Sequence, residues 1–411
     1  MKCQRSWLLM PFALVVGLVS VFGTPQHRTY ESLGIQGGRT WTVCTQGCDF
    51  TSIQQAIDTV EAGDRIWIKA GTYSEHLIIR KTLSLEGFGV QETIIKGAQP
   101  NKPLIFIPEG ASIEVRLANL ALIGSFTQSG YPLFCDPVST VGQCPAGIEV
   151  GGSVKLSLYH IRLSDHSFGI WVYGSARVHL FESQISPPIF IAGILLDNRD
   201  TELMVSGSEI FAGYYRISDD YIREGILAES SRQVTVVDST FHSSITVLGQ
   251  AHTTIVNTSF VDTYVGIGSR FTGAKVQAVI LDSEFVESGL AVGDESQITV
   301  VNSRFMKGGI VLSGQAQAAI HGSEIVENVY TSGVLLYDKV QVHLERNKIA
   351  DNEEWGVALF VPECDFTTLG ARATPQISGR NNEIPDKNQP HGNKKGALCP
   401  PDYPWPPGFR K

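Results

Sequence analysis

The sequence predicts an all-β chain, a parallel β-helix solenoid opened by a short N-terminal helix. Three observations carry this: a phrase that recurs about every 20 residues, a Gly-plus-apolar pair after each copy, and one stretch of helical apolar spacing near the start. The phrase is an apolar alternation, a small polar pair, one variable residue and a large apolar residue. It reads Asn119-Leu120-Ala121-Leu122, Asp238-Ser239-Thr240-Phe241, Asn257-Thr258-Ser259-Phe260, Asp282-Ser283-Glu284-Phe285 and Asn302-Ser303-Arg304-Phe305. Looser copies end at Leu163, Ile185, Ile210, Ile325 and Ile349. Most steps between the final apolar residues are 19 to 25, with longer ones of 41 and 31. Units this short cannot bury a core alone, so they must stack.

The phrase is followed by Gly169-Ile170, Gly193-Ile194, Gly225-Ile226, Gly289-Leu290, Gly309-Ile310, Gly333-Val334 and Gly356-Val357, each opening another strand. Two or three short strands per turn with β-branched alternation exclude a leucine-rich horseshoe, whose Leu/Asn consensus is also missing. Phe241, Phe260, Phe285 and Phe305 are expected to stack inside one continuous coil. The Asn/Asp position falls where the chain bends, since these residues tolerate left-handed backbone and bond their own main chain.

Both open ends have covers. Thr51-Ser52-Ile53-Gln54 fits a capping box, and Ile53, Ala56, Ile57 and Val60 follow at helical spacing. The far end is Pro-rich and aromatic from Pro400 to Phe409. The expected organisation is a signal peptide over residues 1–23, an N-terminal segment with the capping helix over 24–64, the coil over 65–380, and a tail over 381–411.

The leader rests on Lys2 and Arg5 before an uncharged apolar run over residues 7–22, with Gly23 at the cleavage point. That run is shorter than the roughly 20 residues a bilayer span requires, and no later segment is apolar enough. Secretion or periplasmic export is therefore expected. Six cysteines remain after cleavage, and an even set in an exported chain argues for disulfides. Local pairing is expected: Cys44 with Cys48, Cys135 with Cys144, Cys364 with Cys399. None has two-residue zinc spacing, so no metal set is read from them. The formal charge of −9 has no basic stripe, which argues against nucleic acid as a partner.

The opening of the chain carries Phe50-Thr51-Ser52-Ile53-Gln54-Gln55-Ala56-Ile57, then Gly63-Asp64, Ile66-Trp67-Ile68-Lys69-Ala70-Gly71-Thr72-Tyr73-Ser74-Glu75 and Leu83-Ser84-Leu85-Glu86-Gly87. With these residues it resembles the N-terminal part of pectin methylesterases, within the pectate-lyase-like superfamily of right-handed parallel β-helices. The resemblance implies that fold and a polysaccharide partner. The esterase phrases are missing: there is no Gln-Asp-Thr, no Asp-Phe-Ile-Phe-Gly and no Gly-Arg-Pro-Trp. The Asn-Thr-Asp and Gly-His-Gly runs of polygalacturonase-like hydrolases are absent too. The expected function is binding of a polysaccharide or cell-surface partner without catalysis. The alternative is a polysaccharide-modifying lyase, hydrolase or uronate epimerase.

Candidate site residues come from inserts on one edge of the coil. The longest, over residues 124–146, holds Tyr131, Phe134, Asp136, Cys135 and Cys144; then come Asp165-His166, and Tyr214-Tyr215-Arg216 with Asp219-Asp220-Tyr221 and Arg223. His166, Asp165, Asp219, Asp220 and Arg223 are candidates for proton transfer or uronate contact, and Tyr131, Tyr214, Tyr215 and Arg216 for ligand binding. An arginine beside tyrosines would favour acidic sugars. Loop acids and tyrosines are equally ordinary solvated turn residues. His160, His179, His252, His321 and His343 lie on strands at unequal register and are read as strand histidines, not as a metal line. Asp351, Glu353, Glu354 and Trp355 form another decorated turn, and calcium is the ion it could hold. Asn257-Thr258-Ser259 fits a glycosylation triplet but is better explained by the turn.

Overall fold

The computed structural model describes residues 38–99, 102–110, 112–124, 145–187, 189–211, 215–217, 220–222, 224–268, 273–366 and 373–409. Short strands wind into a coil, and most turns contribute three. Two of the three lie in a 24-stranded sheet and the third in a 13-stranded sheet, both parallel throughout. The fold is the parallel β-helix expected. Alternation does the sorting: in the strand Gln277–Leu281, Ala278 and Ile280 turn inward and are buried, while Gln277 stays exposed.

The bend inside the larger sheet explains the repeated Asn/Asp. Asn119, Asp238, Asn257, Asp282 and Asn302 adopt φ of 47° to 56° there. His160, Glu182 and Arg346 take the same corner at 45° to 56° without the local cue. The next residue builds an internal ladder. The Ser183 N–H donates to Ser208 Oγ at 3.1 Å, and Ser208 N–H to Ser239 Oγ at 3.2 Å. A second run joins Thr258, Ser283, Ser303 and Ser323 by bonds of 3.2 Å, then Asn347 at 2.9 Å and Asn382 at 3.0 Å. Each serine hydroxyl also donates to the carbonyl two residues before it, as Ser303 Oγ does to Val301 O at 3.0 Å. A buried polar column is thereby satisfied from turn to turn.

Apolar columns fill the remaining interior. The rings of Phe241, Phe260, Phe285 and Phe305 are fully buried and stacked, with centroid separations of 5.6, 4.7 and 4.2 Å. Each contributes on the order of 2–3 kcal/mol by burial. The Gly-plus-apolar pairs mark where turns approach most closely. A Cβ on Gly169 would lie 2.5 Å from Gly193 O, and one on Gly193 would lie 2.6 Å from Gly225 O.

Parallel pairing extends beyond the expected 65–380. Strand Thr40–Val43 pairs with Arg65–Ile68, and Gly396–Cys399 adds a last rung to Trp355–Leu359. Between the first two strands lies the helix Ile53–Thr59, which buries Ile53, Ala56 and Ile57 against the open end. Its cap differs by one residue from the expected frame. Ser52 is the N-cap and accepts from Gln55 N–H, while Glu75 supplies the reciprocal acceptor. Glu75 Oε2 accepts from Ser52 Oγ at 2.7 Å and Gln54 N–H at 2.9 Å, and Oε1 accepts from Ile53 N–H at 2.9 Å. A carboxylate 23 residues downstream of the N-cap therefore satisfies orphan amides that a local glutamine was expected to serve. At the other end Trp405 and Phe409 are buried, and a disulfide joins Cys364 to Cys399. A second joins Cys44 to Cys48. Cys135 and Cys144 lie outside the described residues.

Candidate functional site

The outer face of the 13-stranded sheet departs most from the regular repeat. Register aligns Glu149, Trp171, Leu195, Leu227, Thr246 and Gly266 in one outward column. Their neighbours Ile148, Ile170, Ile194, Ile226 and Ile245 point inward and are buried. Phe168, Trp171, Ala192 and Leu195 form an apolar cluster separate from the main core, with Tyr173 and Leu227 packed partly buried against it. Sheet faces turned to solvent are normally polar, so this strip marks a covered or ligand-facing surface.

Carboxyls and tyrosines border the strip. Glu224 is buried; its Oε2 accepts from Ser244 Oγ at 2.8 Å, and its Oε1 from Thr246 Oγ1 and Tyr264 Oη at 3.1 Å each. Burial pushes its pKa above the ordinary value, and the three hydroxyls partly oppose that shift. On the far side, Tyr173 Oη donates to Glu149 Oε1 at 3.0 Å. Burial first, then the Glu149 charge, raises the Tyr173 phenol. Asp197 is raised by burial, and Glu229, one rung on, is raised by desolvation and by the Asp197 charge. Tyr264 is 45% exposed, Glu229 is exposed, and Tyr173, Asp197 and Leu227 are half-buried. A ligand can therefore reach a pair of carboxyls that hold protons more readily than usual, and tyrosine rings, on one face.

The inserts singled out in the sequence border this face by chain connection: residues 124–146 lead into strand Ala146–Val150, and residues 211–223 lead into Glu224–Ser230. Within the second insert, Tyr215–Ile217 and Asp220–Ile222 form an antiparallel ribbon with Arg216 opposite Tyr221 and Ile217 opposite Asp220. Tyr131, Tyr214, Asp219 and Arg223 lie outside the described residues, as do the side chains of Tyr215, Arg216 and Asp220. Asp165 takes a left-handed corner at φ 61°, half-buried, with Ser164 Oγ 3.4 Å from its Oδ2. His166 is in the wall and not in a groove. It is 2% exposed, its Nε2–H donates to Leu122 O at 3.3 Å, and burial lowers its pKa to about 4. Gly124 lets the chain pass this corner, because a Cβ there would lie 1.7 Å from Asp165 O and 2.8 Å from His166 Nδ1.

Sequence reasoning missed Glu149, Tyr173, Asp197, Glu224, Glu229 and Tyr264. A signal was present for Glu149, a lone charge between Ile148 and Val150 that period-two alternation places outward; Glu224 has the parity of the buried Ile226 and faces outward only through the register shift between them. The turn considered for calcium has its acids engaged. Asp351 meets His391 Nδ1 at 3.0 Å, Glu354 meets Lys395 Nζ at 3.0 Å, and Glu353 pairs with Lys394. Among the described residues, one group offers metal-type donors at close range: His321, His343 and Glu345. The unequal register expected of the two histidines is observed, since His321 lies opposite Glu345 and His343 opposite Ala319. Their offset is two residues, which keeps both on the same face.

A coil of three-strand turns with chemistry displayed on its outer faces defines the class: a right-handed parallel β-helix. Residues 192–368 match the family model described as the right handed beta helix region. The chain is similar in fold to the catalytic unit of a thermostable α-1,3-glucanase from Streptomyces thermodiastaticus (12% identity, 85% of this chain and 69% of that one, TM-score 0.48). It is also similar to the A-module of a mannuronan C-5 epimerase from Azotobacter vinelandii (13% identity, 83% and 93%, TM-score 0.37). A third is a pectin methylesterase in complex with a hexasaccharide (15% identity, 64% and 88%, TM-score 0.32). At such identities the likeness is one of fold alone. The comparison with curated proteins finds no match.

Proposed function

We propose that the protein is an exported saccharide-binding β-helix whose ligand, an extended glycan, lies along the outer face of the 13-stranded sheet from Tyr173 to Tyr264. The observation that carries this is one outer face bordered along one edge by Glu224 and Tyr264 and along the other by Tyr173, Asp197 and Glu229. From the strand that ends just before Tyr173 to the strand holding Tyr264 is four rung steps, about 19 Å, enough for several sugar rings in line. Tyrosine rings can take the apolar face of a sugar, and carboxylates accept short charge-assisted bonds from its hydroxyls. Disulfides and the leader support export; among the described residues no helix is long and apolar enough to cross a membrane. The acidic preference expected from Arg216 and Arg223 is opposed by these carboxyls, so hydroxyl-rich neutral glycans are the favoured class.

A second reading, glycoside hydrolysis, is favoured by the Asp197–Glu229 coupling, since neighbouring carboxyls with raised pKa can divide acid and base roles. One experiment addresses both. Purified protein is titrated with neutral and acidic oligosaccharides while new reducing ends are assayed. Tyr264→Ala and Glu229→Gln should each weaken binding about 10-fold or more with unchanged melting, a loss of about 1.4 kcal/mol. Equal binding by both variants would move the site elsewhere, and reducing ends that vanish in Asp197→Asn would replace the binding reading with the hydrolytic one.

A further inference from the structure

We propose that His321, His343 and Glu345 bind a divalent transition-metal ion of the zinc class on the outer face of the 24-stranded sheet. Strands Gln317–His321 and Gln341–Glu345 are paired neighbours, with His321 opposite Glu345 and Ala319 opposite His343. Ala318, Ile320, Val342 and Leu344 fill the interior between them, so the three ligand-bearing residues share the outer side. His321 Nδ1 and His343 Nε2 each lie 3.6 Å from Glu345 Oε2. The three donor atoms all lie within 4.8 Å of one another. A tetrahedral ion with bonds of about 2.0 Å sets its ligand atoms ~3.3 Å apart, which small side-chain rotations can reach here.

The surrounding hydrogen bonds prepare the donors. Ser378 Oγ donates to Val342 O at 3.4 Å and lies 2.9 Å from His343 Nδ1. With Nδ1 protonated, the serine oxygen accepts from it. That tautomer leaves the Nε2 lone pair facing Glu345, the arrangement in which metal-bound histidines are held. Glu345 Oε1 accepts from Arg380 Nε at 2.9 Å and Arg346 Nη2 at 3.3 Å, which fixes the carboxylate and leaves Oε2 turned to the imidazoles. The two guanidiniums oppose an added positive charge and limit affinity. Imidazole donors select zinc, copper or nickel over calcium. Both histidines are partly exposed, so the fourth position opens to solvent.

The test uses the full chain stripped by a chelator, titrated with Zn²⁺ by calorimetry and with Co²⁺ by visible absorption. The parent should bind zinc at this site with a four-coordinate cobalt spectrum, undisturbed by excess Ca²⁺. His321→Gln and His343→Gln should each lose at least 10-fold in affinity while their metal-free melting stays parental. Ser378→Ala, which leaves all three donors in place, should lose 10- to 100-fold through the freed ring. Absence of zinc binding by the parent, or parental affinity in both histidine variants, would show that the cluster is an ion-pair network only.

Discussion

His166 bridges two turns through a single proton, and that proton ties its environment to pH. Its folded pKa of about 4 lies below the ordinary 6.5 because burial disfavours the cation. Below pH 6.5 the unfolded chain takes up a proton that the folded chain refuses. The corresponding stability is complete above pH 6.5 and is lost progressively as pH falls toward 4, in total on the order of 3 kcal/mol. His166→Gln replaces the ring with an amide that can donate to the same Leu122 carbonyl and does not titrate. Melting temperatures measured from pH 7 to 4 should fall less steeply for this variant than for the parent. Identical slopes would mean that other groups set the acid response.

At the scale of a strand, the hydroxyl ladder distinguishes two residues that sit side by side in the repeated phrase. Ser303 Oγ accepts the Ser283 N–H in the interior, whereas Asn302 only takes a left-handed corner. Ser303→Ala should cost about 1–3 kcal/mol, because a buried amide loses its acceptor. Asn302→Gly should be nearly neutral, since glycine accepts the same backbone, and urea unfolding distinguishes the two. Equal stability of Ser303→Ala and the parent would mean that another group, such as water, serves the amide. The left-handed corner was legible in the sequence because Asn and Asp carry a local reason to be there. The ladder was not, because its partners are 20 or more residues apart and each serine alone reads as an ordinary turn residue. The same distance hid Glu75 as the helix cap.

For the whole molecule, stability depends on how the two ends are closed. The Cys364–Cys399 bond ties the final rung and the Trp405 and Phe409 cover to the coil across a separation of 35 residues. The paired Cys364→Ser and Cys399→Ser variant should lose about 3–4 kcal/mol by the loop-entropy argument. Hydrogen exchange should quicken first in the strands nearest the C-terminus, as expected for a stack whose units contact only their neighbours. Uniform loss of protection along the coil would contradict that order. The inserts flagged in the sequence connect to strands of the proposed face, while most of their candidate residues lie outside the described residues. The carboxyls and tyrosines there were not read, since a lone charge in an apolar strand gains meaning only once register sets it beside others. His321 and His343 were noted only as strand histidines, and Glu345 was not read, for the same reason.

The direction of the serine ladder also bears on how the chain is made. In both runs the amide belongs to the earlier turn and the acceptor to the later one, from Ser183 to Ser208 and from Ser303 to Ser323. A coil emerging from the ribosome therefore carries, at its newest ladder position, one inward amide whose acceptor has not yet been synthesised. Every added turn repairs its predecessor and presents the same shortfall again. The series stops at Asn382, whose side chain accepts from Asn347 N–H and donates to Leu344 O at 2.7 Å.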